Sequence, residues 1–333
     1  HYPLRRQRQM CIRDRPQGEN RPVHGTVASA QGQRLTLHWK PSYPFYAKVI
    51  STSSAPTLAM FKEVFKKLQG EVSGTIALNH VAEIARHHRI QASPGFRAAA
   101  RYAAETLRSY GLKAEVLEYP ADGETRYWSA VMHEEWDAKE AELRIVEPKE
   151  EARVLARYLE NKISLIQRSY PTLKKGVEAE LVVLENGGEE EEEYKKLDVK
   201  GKIVLTKSEV ARVHSLAVEK HGAVGIIYDG IRAFPPVRLE HDLDDALAYT
   251  SFWWTKGMKP AFGFVLSPRE GARLRELAKR LEKEGKTVKL YAKVESSIYS
   301  GKIENVSALI EGETDEEVVV VAHLCHPQPS AND

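Results

Sequence analysis

The chain has 333 residues, of which 42% are hydrophobic and 29% charged, and its formal net charge is +2. This composition is typical of a folded globular protein with room for two domains, and it excludes a disordered chain. The near-neutral charge lacks the basic excess of a nucleic-acid binder, and no apolar run approaches the roughly 20 residues of a membrane helix. Cys11 and Cys325 are the only cysteines. Two distant thiols do not form a disulfide framework, which favours a reducing compartment such as the cytoplasm.

Residues 1–40 are predicted to be a non-native or disordered segment. Residues 1–16 are rich in Arg and Gln without a hydrophobic period, and residues 10–15 resemble translated sequencing-adapter sequence. The alternative is a genuine disordered basic tail. In either case the segment contributes nothing to the predicted fold.

The next part, 41–165, has the order of helices and strands that an α/β domain shows. Apolar residues at helical spacing predict helices from residue 57, over 78–86 and over 96–110, the last opened by Ser93-Pro94-Gly95. Residues 114–119 are predicted as a strand and the charged stretch 150–168 as a helix. The predicted surface histidines are His80, His87 and His88.

The middle part, 166–290, has a compact β–β–α–β pattern, with strands at 181–185, 203–206 and 223–228 and a helix at 212–220. A strand at 262–266 and a helix capped by Ser267 follow. The aromatic patch Tyr249, Phe252, Trp253 and Trp254 is predicted as core or interface packing, with a substrate pocket as the alternative.

The last part, 291–333, contains the residues most suited to chemistry. Val318–Val321 form a continuous apolar run after Glu317, which predicts a buried parallel strand. Ligands of open α/β sheets lie beyond the carboxyl ends of such strands, and His323, His326 and Asp333 occupy that position. Imidazole and carboxylate groups favour a zinc-type metal site. A pair of hydrogen-bonded loop histidines is the alternative.

These residues resemble the zinc aminopeptidases of the M28 family. Ala322-His323 followed by Ser330-Ala331-Asn332-Asp333 is similar to the first two metal-ligand motifs of that family, and the segment 92–112 is similar to its N-terminal helix. The segments 200–205 and 221–227 resemble a protease-associated (PA) domain, which is commonly inserted into these peptidases. The resemblance spans roughly residues 58–333.

The resemblance implies a mixed α/β sheet of the zinc-peptidase type flanked by helices, with a PA-like β-rich α+β insertion at 166–290. It implies a metal-dependent aminopeptidase that hydrolyses N-terminal peptide bonds with a metal-activated water, a peptide substrate and two zinc ions. His323 then matches the terminal ligand of one zinc and Asp333 the bridging ligand.

Cys325 occupies the position where the family has an Asp that orients the ligand His. Either Cys325 joins the metal, or the orienting role passes elsewhere, with His326 as a candidate. The family's general-base Glu and remaining ligands are expected downstream of Asp333, so the chain is predicted to be truncated within the peptidase domain and inactive, with no catalytic residue of its own. The alternatives are a non-catalytic peptidase-like binding protein and a metal-dependent amidohydrolase of a small molecule.

Overall fold

The structure is a computed structural model that describes residues 24–28, 34–38, 55–239 and 241–327. It divides into two compact units, His1–His80 and Val81–Asp333. Most of the segment 1–40, and the predicted ligand Asp333, lie outside the described residues. Among the described residues no helix is both long enough and apolar enough to cross a membrane.

The first unit contains an antiparallel hairpin and a helical region. The hairpin joins β1 (His24–Ala28) to β2 (Arg34–His38), and the helices are α1 (Ala55–Glu71) and α2 (Gly74–Ala85), the second of which continues past the unit boundary. Both helices were predicted from their apolar spacing and are confirmed. Their apolar side chains are exposed, among them Phe61 and Phe65, whose rings stack at 6.3 Å.

The second unit contains the sheet that positions the candidate site. Its elements in chain order are α3 (Pro94–Ser109), β3 (Lys113–Ala121), β4 (Arg126–Tyr127), β5 (Ala130–Val131), β6 (Glu135–Glu147), β7 (Arg153–Arg157), β8 (Val177–Val183), α4 (Glu191–Tyr194), β9 (Ile203–Thr206), α5 (Val210–Val213), β10 (Gly225–Tyr228), β11 (Phe262–Val265), α6 (Pro268–Lys283), β12 (Lys289–Tyr299) and β13 (Gly301–Leu309). Two 3₁₀ turns at Lys149–Glu151 and Lys162–Ser164 and a π-helix at His214–Lys220 complete it.

A seven-stranded mixed sheet has the order β11-β10-β9-β8-β12-β6-β7. The first four strands are parallel, whereas β12 runs antiparallel to both β8 and β6. Alternate side chains of the parallel strands point to opposite faces of the sheet. Ile203 and Leu205 belong to the core that includes Leu274 and Leu277 of α6, and Val204 belongs to the core that includes α5 and the π-helix. The fold class is therefore mixed α/β, with helices on both faces of the parallel half, as predicted.

The strands β8 to β11 come from the segment predicted as the PA-like insertion, 166–290. They share one sheet with β6, β7 and β12, which come from the segments on either side of it. The predicted boundaries at residues 165 and 290 stay a prediction.

Helix α3 lies against a second sheet, the antiparallel pair β3–β13. The helix begins where the sequence predicts, because the Ser93 hydroxyl accepts the Phe96 N–H at 3.2 Å and Pro94 occupies the first turn. Arg97 fixes the helix by pairing with two buried carboxylates, Glu135 of β6 and Glu304 of β13. This ion-pair network links three elements that are distant in sequence.

The predicted helix over 150–168 is wrong. Residues 153–157 form β7, which pairs with β6, and Arg157 donates to Glu142 on the neighbouring strand at 3.0 Å. The alternation around Val154 and Ala156 suits a half-buried edge strand, and pairing with β6 overrides the helical propensity of the charged residues.

The predicted buried strand over 317–321 is also wrong. Val318–Val321 are 73–94% exposed and have no regular secondary structure. A strand requires a neighbour that completes its hydrogen bonds, and no described strand lies beside these valines.

Candidate functional site

The segment that contains His323, Cys325 and His326 is attached to the loop before α3. The Arg89 N–H donates to the His326 carbonyl at 3.2 Å, and the His326 N–H donates to the Arg89 carbonyl at 3.0 Å. These two bonds form an isolated antiparallel bridge. It places the predicted metal-ligand residues next to the loop that the Ser93 cap orders.

The side chain of Arg89 reinforces this attachment. It is buried, and its guanidinium donates to three backbone carbonyls, those of Leu324 at 3.0 Å, Ile84 at 2.8 Å and His87 at 2.9 Å. Burial lowers the pKa of Arg89, and the nearby Cys325 partly offsets that effect. Arg89 therefore joins the end of α2, the following loop and the segment 324–326.

His323 is exposed, and the contact of its ring defines its tautomer. Its Nδ1 lies 3.0 Å from the Cys325 carbonyl oxygen. A carbonyl can only accept a hydrogen bond, so Nδ1 carries the proton and Nε2 carries the lone pair. Histidines that bind metal through Nε2 are commonly oriented in this way, by a carbonyl or carboxylate on Nδ1. The group that contacts His323 Nδ1 at this distance is therefore the backbone carbonyl of Cys325.

The thiol of Cys325 lies near the Nδ1 atom of that imidazole. Its Sγ is 4.0 Å from His323 Nδ1 and accepts the Gln91 side-chain amide at 3.3 Å. A sulfur beside the protonated nitrogen is poorly placed to share a metal with Nε2. The His326 ring lies 5.6 Å from the His323 ring, centroid to centroid, so the two imidazoles are neighbours.

The described residues alone do not complete a metal site. Within 55–239 and 241–327 no group of three or more His, Cys, Asp or Glu side chains is arranged to hold a metal ion. His323 fits a zinc ligand by its tautomer and exposure, whereas a three-ligand catalytic site needs further donors. The predicted second ligand, Asp333, lies outside the described residues.

A second cluster lies behind the Cys325 thiol, and the sequence analysis missed it. Arg168 is 1% exposed, and its guanidinium donates to Ser251 Oγ at 2.7 Å and to the Gln91 carbonyl at 3.2 Å. It also lies over the Trp253 ring, 4.5 Å from the centroid. Gln91 therefore contacts both Arg168 and Cys325. Among these residues only Trp253 had been identified from the sequence, as part of an aromatic patch.

His88 is not a surface histidine, in contrast to the prediction. Its ring packs edge-on against Trp136 and Tyr158, and its Nδ1 lies 3.1 Å from the Tyr158 hydroxyl. Burial, with Lys162 and Arg89 adding to it, lowers the pKa of His88 to about 3. Its side chain lines a polar pocket of about 200 Å³ together with Asp137 and the first turn of α3.

No family model and no curated protein matches this chain. Solved structures with a similar fold include an aminopeptidase from Aneurinibacillus sp. strain AM-1 (18% identity, TM-score 0.42, 72% of this chain and 48% of that chain). Another is a peptidase M28 precursor from Shewanella amazonensis SB2B, with 16% identity, a TM-score of 0.46 and coverage of 74% of this chain and 53% of that chain. A third is BSAP, a zinc aminopeptidase from Bacillus subtilis, with 14% identity, a TM-score of 0.41 and coverage of 68% of this chain and 45% of that chain. The chain spans about half the length of these proteins. At these identities and TM-scores the likeness does not define a function.

Proposed function

We propose that this chain carries part of the metal site of a metal-dependent peptidase that releases N-terminal residues from peptides. The observation that supports the proposal is the state of His323. Its Nδ1 lies 3.0 Å from the Cys325 carbonyl oxygen, an acceptor, so Nδ1 is the donor and Nε2 is the nitrogen that can bind a metal on this exposed ring. The residue that motif similarity selects as a zinc ligand is thus held in the form that binds zinc.

His323 and Asp333 are the residues proposed to hold the ion, with His326 as the neighbouring donor. Zinc in such a site polarises a carbonyl and lowers the pKa of a bound water. The other residues of the chain hold the ligand segment in place. The Arg89–His326 bridge and the bond from Arg89 to Leu324 limit the movement of the ligand segment. Precise placement of this kind is what catalytic sites require.

The segment 166–290 is proposed to act as a PA-like module that shapes substrate access. Its aromatic patch supports this role in one respect, because Trp253 is partly exposed while it contacts both Arg168 and His133. An aromatic side chain of that kind offers an apolar surface to a ligand.

Metal binding tests the proposal directly. Equilibrium dialysis against zinc compares the wild-type chain with His323→Ala and with a matched control, His241→Ala, which removes an exposed imidazole outside the segment 322–327. We expect the affinity for zinc to fall at least tenfold in the first variant and to stay unchanged in the control. Equal affinity in the wild type and His323→Ala contradicts the proposal.

Substrate class is a separate measurement. Aminoacyl reporter substrates are compared with acylated amines and acylated sugars on a zinc-loaded protein that also carries the general-base Glu. Turnover confined to the aminoacyl reporters supports the peptidase, and turnover confined to the acylated compounds supports the small-molecule amidohydrolase. Zinc binding without turnover of either class favours the non-catalytic binding protein.

A further inference from the structure

Arg168 is a buried cation with no carboxylate partner in the described part of the chain. Burial lowers the pKa of its guanidinium, the nearby acidic group that offsets this effect is the Cys325 thiol, and its Nε has no hydrogen-bond partner among the described residues. Of its five N–H groups, Ser251 and Gln91 use one each. The Nε–H and one N–H on each terminal nitrogen remain, which is the fork that a carboxylate binds with two parallel hydrogen bonds.

The backbone around this side chain is also unusual. Arg168 has a φ of 62°, in the left-handed region that a non-glycine residue rarely adopts. Burying a charge away from any carboxylate is unfavourable. Together, a strained backbone and a buried charge without a carboxylate partner are features that concentrate at ligand sites.

A second unsatisfied group contacts the same tryptophan. His133 is largely buried, its Nε2 has no partner among the described residues, and its ring lies 5.1 Å from the Trp253 ring, centroid to centroid. Burial and the nearby Arg168 charge lower the pKa of His133 well below its ordinary value. The imidazole is therefore neutral and, in the tautomer with hydrogen on Nε2, can donate to an anion.

The geometry points to a carboxylate-binding site formed by Arg168 and His133 under the Trp253 ring. Trp253 is 38% exposed and its ring lies over the guanidinium, so this side chain has one part in solvent and another against Arg168. The bound group supplies the carboxylate that the described residues do not supply, and burial makes a paired guanidinium–carboxylate contact strong.

Gln91 connects this site to the segment of the proposed metal ligands. Arg168 donates to the Gln91 carbonyl, and the Gln91 amide donates to the Cys325 thiol, two residues from His323. Resting on the proposed function, this inference identifies the substrate as a short peptide with a carboxylate close to the cleaved bond. That carboxylate is either the C-terminal group or an acidic side chain.

Calorimetric titration of the metal-free protein tests the site independently of peptidase activity. The probes are N-acetyl-Ala-Ala, which ends in a carboxylate, N-acetyl-Asp-amide, which has an acidic side chain only, and the neutral N-acetyl-Ala-Ala-amide. We expect at least one acidic probe to bind at millimolar concentration and the neutral probe not to bind. The acidic probe that binds tells which of the two carboxylates is recognised.

Three variants assign the binding to the site. Arg168→Met should weaken binding of the acidic probe at least tenfold, and His133→Gln should weaken it less. Because two different residues are substituted, the test stays valid if one variant does not fold. Arg232→Met is the matched control, since Arg232 also lies over an aromatic ring, that of Phe234 at 4.6 Å, but on the surface. Absence of binding by both acidic probes, or equal binding in wild type and Arg168→Met, overturns the inference even if zinc binding and turnover support the proposed function.

Discussion

Arg89 and His326 pair their backbones through two reciprocal hydrogen bonds of 3.2 and 3.0 Å, although one residue follows α2 and the other lies near the end of the chain. The Arg89 side chain adds a bond to Leu324 of the same segment. The position of the proposed ligand His323 therefore depends on contacts made at residues 324–326 rather than on a strand leading into it.

Substitution of Arg89 by Met is expected to release the segment 322–327. The variant leaves three carbonyls without their donor, at a cost of about 1–3 kcal/mol for each that stays buried, so we expect a loss of about 2–4 kcal/mol in unfolding free energy. Hydrogen exchange should become faster at the Arg89 and His326 amides. Arg86→Met is the control, because Arg86 is exposed and its partner among the described residues is Glu83. Unchanged protection in the Arg89 variant would contradict the assigned role.

Whether the Cys325 sulfur coordinates the metal can be tested by spectroscopy. Because the thiol lies on the Nδ1 side of His323, 4.0 Å from that nitrogen, we expect cobalt bound in place of zinc to show no thiolate-to-metal charge-transfer band. Cys325→Ser should then bind cobalt as the wild type does. A charge-transfer band that disappears in Cys325→Ser would show that sulfur is a ligand after all.

Stability at acidic pH should depend on His88. Its pKa is about 3 in the folded protein against 6.5 for an ordinary histidine, so the unfolded state binds a proton at a pH where the folded state does not. The contribution of His88 is present in full above about pH 6.5 and is lost as the pH falls towards 3, by about 1.4 kcal/mol per pH unit at most.

The variant His88→Gln keeps a group that can bond the Tyr158 hydroxyl but cannot titrate. We expect the free energy of unfolding, measured in urea, to fall less steeply with acidification in this variant than in the wild type. The neighbouring His87→Gln serves as the control and should leave the slope as it is. Identical slopes for the wild type and His88→Gln would show that His88 is not buried as described.

The features that could be predicted from the sequence are those that depend on residues close together in the chain. The start of α6 was predicted because Ser267 and Pro268 are adjacent in sequence, and the Ser267 hydroxyl accepts the Glu270 N–H at 3.2 Å. The strands β9 and β11 were predicted because every residue in them is buried, which produces continuous apolar runs.

The Arg168 cluster could not be predicted in this way. Gln91, Arg168, Ser251 and Trp253 meet only after the chain folds, and no spacing relates them. The valine run 318–321 is a case in which local composition led to a wrong prediction. Its composition favours a strand, but β-structure also needs a neighbouring strand, which composition does not report.

The buried ion pair between Asp229 and Arg275 gives a further prediction. Asp229 is fully buried, Arg275 donates to both of its oxygens, and burial raises the pKa of the carboxyl. Arg275→Met leaves a buried carboxylate alone and should cost about 3–5 kcal/mol at neutral pH. The loss should shrink as the pH falls, because protonation removes the charge. Arg273→Met, on the exposed side of α6, should cost little; equal losses in the two variants would contradict the assignment.

The exposed valines 318–321 have a consequence for handling the isolated chain. Four consecutive exposed β-branched side chains without regular secondary structure form the centre of a segment of high β-propensity, the kind that nucleates cross-β structure. Concentrated preparations should therefore form thioflavin-positive fibrils after a lag phase, and Val319→Lys with Val321→Lys should lengthen that lag by placing like charges in register between stacked copies.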